Sequence, residues 1–155
     1  MSNRVNLLKK INEFEKLLIH FEKLNPVISK SSIGWHIDHS LLSTILIISA
    51  VERSNPKDYK WKFNFVRTYI FVKNEIPRGK AKAPKSVVPE EIITKDDILL
   101  KIEKAKEKIA NLKNLPRKAN FNHPYFGNLN LKQTIKFLNL HIEHHLKIIN
   151  DILSN

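Results

Sequence analysis

The sequence contains no cysteine, which excludes both a disulfide framework and a thiolate metal site. Any transition-metal site must therefore be built from His, Asp, Glu and water. Glycine is scarce, at three residues in 155, and 42% of the chain is apolar, a balance that suits a compact helical protein rather than a disordered one. A long apolar run is also missing. The longest, residues 45–51, is interrupted by Ser49 and falls well short of the roughly 20 residues needed to span a bilayer. The opening stretch is polar, with apolar residues spaced as on an amphipathic helix and not as in a signal peptide. The expectation is a cytoplasmic chain with no membrane partner, folding as a single domain over residues 1–155.

Acidic residues are few beside the basic ones, 15 against 27, which leaves a formal net charge of +12. Such a charge raises the question of nucleic acid. The lysines, however, are spread over every segment, and aromatic residues interleave with them only across residues 59–73. No recognised nucleic-acid motif appears, so nucleic acid is not the expected partner despite the charge.

What is present is helical periodicity, strongest at the end of the chain. Leu131, Ile135, Leu138, Ile142, Ile149 and Ile152 recur in steps that mark one buried helix face. His145 stands where that series skips, and His141 lies one turn earlier on the same face. Two imidazoles at i and i+4 can converge on one metal ion. His144 falls towards the edge of the stripe. A third ligand could come from the start of the second helix, where His36, Asp38 and His39 stand close together. That helix is apolar almost all round, so periodicity does not choose among the three. A zincin protease is excluded because position 142 is Ile where that motif requires Glu. A di-iron bundle would need bridging carboxylates, and the last helix offers only Glu143, off the main face, and Asp151, two turns away.

Taken in order, residues 3–24 read as a first helix ended by Asn25-Pro26. A second, capped by Ser31 or Ser32, runs to about Arg53 and should be the most buried. Residues 54–94 form a long connection, with a helix expected over residues 59–73, lying across the others. The basic stretch that follows, with Arg78, Lys80, Lys82 and Lys85 among two prolines, reads as a loop and offers four positive charges to an anionic substrate or cosubstrate. A third helix is capped by Thr94, with Ile98, Ile102, Ala105, Ile109 and Leu112 on one face. Residues 120–128 read as a second loop. The last helix opens on Asn130 with Gln133 three residues on, a capping-box pattern. The expected fold is an all-α four-helix bundle with a long crossover between helices 2 and 3, and facing helices of a bundle are where metal sites are built.

Two segments together carry a family resemblance. Ser32-Ile-Gly-Trp-His-Ile-Asp-His39 and His141-x-x-x-His145 resemble the DinB/YfiT-like metalloprotein superfamily. His123-Pro-Tyr-Phe-Gly-Asn-Leu129 is similar to a segment that precedes the final helix in one uncharacterised branch of it. The resemblance spans both ends of the bundle and most of the chain. It implies a divalent ion, zinc or nickel, held by His39, His141 and His145, with His36 and His144 outside the ligand positions. Three histidines with a position left to water form the arrangement of a catalytic site. The resemblance further implies a metal-dependent enzyme acting on a small molecule, either an S-transferase using a low-molecular-weight thiol or a hydrolase. Asp38 or His123 would then orient a ligand or serve as acid/base. The alternative is a metal-binding or stress-response protein without turnover. A homodimer is compatible with either.

Overall fold

The structure, a computed structural model, describes residues 3–79, 84–89 and 92–154. Among them are five α-helices, α1 (Asn3–Leu17), α2 (Ile33–Arg53), α3 (Phe65–Lys73), α4 (Lys95–Asn111) and α5 (Leu131–Ser154). A two-stranded antiparallel hairpin, β1 (Asn120–His123) and β2 (Gly127–Asn130), stands before the last helix. The fold is thus mostly helical but not all-α. α1 and α2 each pack on both α4 and α5. Their shared core is aliphatic: Leu7 and Ile11 from α1, Ile37, Leu41 and Ile48 from α2, Ile98 and Ile102 from α4, and Leu138, Ile142 and Ile149 from α5 are all fully buried.

The first helix is shorter than its periodicity suggests. The α-helical part stops at Leu17 and tightens into a 3-10 turn over Leu18–His20. The reason lies at the start of α2, whose first amide groups have no partner within the helix. The carbonyl of Lys23 accepts from Ile33 N at 3.0 Å and that of Phe21 from Gly34 N at 2.9 Å. Ser32 caps the same end, its Oγ accepting from Trp35 N. The two chain segments approach so closely that a Cβ on Gly34 would lie 2.5 Å from the Phe21 ring, so this position admits only glycine without a shift. The result fixes where α2 begins, and therefore where its histidines sit.

α2 is buried over most of its surface from Ile33 to Val51, with Leu46 exposed, much as its composition suggests. Its hydroxyls are satisfied within the helix: Ser40 Oγ donates to the His36 carbonyl at 2.7 Å and Thr44 Oγ1 to the Ser40 carbonyl at 2.8 Å.

The long connection contains a shorter helix than expected, Phe65–Lys73 in place of 59–73. Asn64 sets its start by accepting from Arg67 N at 2.8 Å, and Asn74, in the left-handed region, ends it. Arg67 is buried, its guanidinium donating to the carbonyls of Phe126 and Lys62. The bond to Phe126 ties α3 to the hairpin.

Residues 120–128, expected as a loop, are in part that hairpin. Phe121 pairs with Leu129 and His123 with Gly127. His123 Nδ1 accepts from Tyr125 N at 3.1 Å and Phe126 N at 3.2 Å, which closes the turn, and Gly127 takes the positive φ that follows. The strand then runs directly into α5 through a capping box. Asn130 Oδ1 accepts from Gln133 N at 2.9 Å, and Gln133 Oε1 from Asn130 N at 3.1 Å. None of the helices described is long and apolar enough to cross a membrane.

Candidate metal centre

Facing turns of α2 and α5 bring three histidines together. His39, His141 and His145 each offer a ring nitrogen, and the three donor atoms lie within 4.8 Å of one another. The ring centroids are 5.2 Å apart for His39 and His141, 4.9 Å for His39 and His145, and 4.8 Å for His141 and His145. His39 and His145 are buried and His141 is partly so. The i, i+4 spacing sets His141 and His145 on one face of α5, and the packing of α2 on α5 brings His39 to them.

Each ring is oriented by what it touches. His39 stacks on Trp35 at 5.0 Å, and its Nδ1 donates to the carbonyl of Val87 at 2.6 Å. Nε2 is then the nitrogen of His39 left for a ligand role. His145 Nδ1 is 3.0 Å from His36 Nδ1, and His36 Nε2 is 2.9 Å from Ser29 Oγ. His141 differs: its Nδ1 is buried and has no hydrogen-bond partner. A buried polar atom left unpaired costs on the order of 1–3 kcal/mol, and its presence inside a cluster of imidazoles is what a site made for an ion would show.

The electrostatics point the same way. Burial holds the pKa of His141 and of His145 well below 6.5, reinforced by neighbouring imidazoles that repel a second charge. His39 is lowered too, chiefly by burial, against the raising effect of its Val87 bond and of Asp38. All three rings are therefore neutral at pH 7, the form in which imidazole binds metal. Three neutral, mutually facing nitrogens fit a divalent ion of borderline softness, and no thiolate is available to compete.

The other residues singled out in the sequence lie at varied distances from this chemistry. Asp38, 1% exposed, turns towards α4, where its Oδ1 accepts from Lys101 Nζ at 2.6 Å. Its Oδ2 is buried without a partner, and among the described residues it forms no hydrogen bond to the three imidazoles. His123 belongs to the hairpin turn. Its ring stacks on Phe126 at 4.4 Å and meets Phe137 edge-on at 4.6 Å, and Phe137 in turn neighbours His141 at 5.7 Å. Burial lowers the His123 pKa to about 4. With Nδ1 accepting two amide bonds, its Nε2 carries the proton.

His144 stands beside His145, its Nδ1 donating to the Ile76 carbonyl at 3.0 Å. It borders a cleft of about 360 Å³ that Glu75, Arg78, Glu143 and Lys147 also line. Arg78, the first of the four cations proposed to greet an anion, is paired with Asp151 at 2.7 Å. Lys85 is exposed and opens the 3-10 turn Lys85–Val87, whose last carbonyl holds His39. Lys80 and Lys82 lie outside the described residues.

The residue that sequence reasoning set aside is His36. It is 4% exposed and touches His145 directly. The available signal was its place three residues before His39, on the same side of α2.

Compared with protein-family models, curated proteins and solved structures, the chain finds no match.

Proposed function

We propose that this chain is a divalent-metal protein of the DinB-like four-helix-bundle type, its bundle formed by α1, α2, α4 and α5. One ion, zinc or nickel, is held by His39, His141 and His145. The observation that carries the reading is the convergence of three neutral imidazoles, two of them with Nδ1 already engaged so that Nε2 is the nitrogen left for a ligand role. The resemblance of Ser32 to His39, of the HxxxH pair and of the His-Pro-Tyr-Phe-Gly segment to that superfamily supports the same assignment.

The activity we propose is metal-dependent chemistry on a small molecule in the cytoplasm, transfer to a low-molecular-weight thiol or hydrolysis. An ion at this site would supply Lewis acidity, polarising a carbonyl or stabilising an anionic nucleophile such as a thiolate. The chain's own residues hold the three nitrogens neutral and oriented, while Trp35 and Phe137 cover rings of the group. The cleft beside His144 carries Arg78 and Lys147, cations suited to an anionic substrate. One observation favours the second reading, a metal-binding protein without turnover: His39 and His145 are only 4% and 6% exposed. Assaying zinc- and nickel-loaded protein against ester, amide and electrophile panels, with and without thiols such as bacillithiol or mycothiol, separates the two. Turnover that needs added metal supports the enzyme. Stoichiometric metal with no turnover across the panels supports the binding protein.

A further inference from the structure

We propose that His36 is a positioning residue for the metal centre, accepting the Nδ1 proton of His145 in the tautomer whose Nε2 is unprotonated and available to an ion. The inference rests on the metal-binding reading above and adds to it a residue that the ligand set does not include.

The argument is one of proton bookkeeping along a short chain. The Nδ1 atoms of His36 and His145 are 3.0 Å apart, a hydrogen-bond distance, so one carries a proton and the other accepts it. Both rings are buried, His36 at 4% and His145 at 6% exposure, an environment that disfavours the charged form. If His36 donates, His145 carries its proton on Nε2 and that nitrogen cannot bind metal. If His145 donates, its Nε2 is free, and His36 must carry its own proton on Nε2. That nitrogen lies 2.9 Å from Ser29 Oγ, which can accept it. The serine also accepts from Ser31 N at 3.1 Å, and its hydroxyl oxygen has two lone pairs for the two donors.

Ser29 is itself fixed. Its amide donates to the Asn25 carbonyl at 2.9 Å, beside the segment that meets the start of α2. The line His145–His36–Ser29 therefore connects the ligand to the anchored loop between α1 and α2. The metal-free chain accommodates either direction of the two bonds, and an ion on His145 Nε2 forces one of them. Val87 does the same for His39 through a carbonyl, which can only accept. Metal-binding histidines commonly donate their second nitrogen to such a partner, and losing the partner typically costs about 10–100-fold in affinity.

The test is a zinc titration of the full chain against a chromophoric chelator. His36→Leu removes both ring nitrogens while keeping an apolar side chain in the core. His36→Asn keeps an acceptor oxygen near the position of Nδ1. Ser29→Ala removes the end of the line. The expected result is a loss of about 10–100-fold in zinc affinity for His36→Leu, recovery of most of it in His36→Asn, and a smaller loss for Ser29→Ala. Ring 15N shifts of zinc-loaded wild-type protein give a second readout independent of any variant. They should show His145 protonated on Nδ1 and His36 protonated on Nε2.

Wild-type affinity in a folded His36→Leu protein, His36→Asn no better than His36→Leu, or His145 bound to zinc through Nδ1 would each overturn the assignment while leaving the metal site standing. A wild-type chain that binds no divalent ion overturns the metal reading itself, and the role of His36 with it.

Discussion

The two sides of the helical core are built from different materials. Where α1 meets α4 the buried residues are Leu7, Ile11 and Phe14 against Ile98, Ile102, Ala105 and Ile109, with no polar side chain among them. Where α2 meets α5, His36, His39, Ser40, Thr44 and His145 interleave with Ile37, Leu41, Ile142 and Ile149. Apolar burial is favourable whatever the pH or ligand, whereas buried polar groups cost stability unless each finds a partner. One seam is apolar throughout, and the other adds to its apolar residues the neutral imidazoles that could hold an ion. Perturbations of the two should therefore be separable.

The largest effect on stability is expected from the apolar seam. Ile102→Ala should cost about 2–5 kcal/mol in urea unfolding, with zinc stoichiometry at low denaturant unchanged. Loss of metal in a still-folded Ile102→Ala protein would show that the imidazole group depends on the apolar seam.

The pH dependence belongs to the other seam. In the folded chain burial takes His36 from 6.5 down to about 4. The unfolded chain then binds protons that the folded one refuses, so stability is full above pH 6.5 and is lost as pH falls towards 4. A fall of that size corresponds to about 3 kcal/mol. Metal-free protein should lose at least this much between pH 7.5 and 4 in chemical denaturation, since His123 is also lowered to about 4, and His36→Leu should make the loss smaller by about the His36 share. Since His141 and His145 are also held well below 6.5, bound metal should survive somewhat below the ordinary histidine range.

Next comes the ion itself. Free zinc at about 100 times its Kd should stabilise the wild-type chain by about 2.7 kcal/mol, read as a raised Tm that a chelator reverses. His145→Ala should show no such rise, and a rise of equal size in that variant would move the ion elsewhere.

The smallest effect lies on the long connection. Arg78 and Asp151 are about half exposed, so reversing the charge at Arg78 should cost less than about 1 kcal/mol and leave metal content intact. It should raise the KM of an anionic substrate if the neighbouring cleft receives one. An unchanged KM would mark the pair as ordinary surface.

The contrast also explains what the chain discloses before it folds. Helix caps are local, and Ser32, Thr94 and Asn130 each act where their spacing predicts. The apolar series of α4 and α5 survives intact because a helix face is a property of adjacent turns. The His141/His145 pair is legible for the same reason. Non-local partners are not. His36 meets a residue 109 positions away, and its spacing to His39 places it on the right side of α2 without saying which residue it meets. α1 keeps its apolar period through Leu18 and Phe21, yet the chain departs from the α-helix because the carbonyls of Phe21 and Lys23 are drawn to the amides of α2. The hairpin is hidden because each strand has four residues and one large apolar side chain, Phe121 or Leu129, too few for an alternating pattern. Of the four basic positions, only Arg78 and Lys85 are placed, and one of those is already paired.

The central claim, that His39, His141 and His145 form one ion site, is tested most directly by elemental analysis of the purified wild-type, His141→Ala and His144→Ala proteins after equal exposure to zinc and to nickel. The account predicts about one ion per chain in the wild type and in His144→Ala, and none in a folded His141→Ala. Full stoichiometry in His141→Ala, or no ion in the wild type, would contradict it.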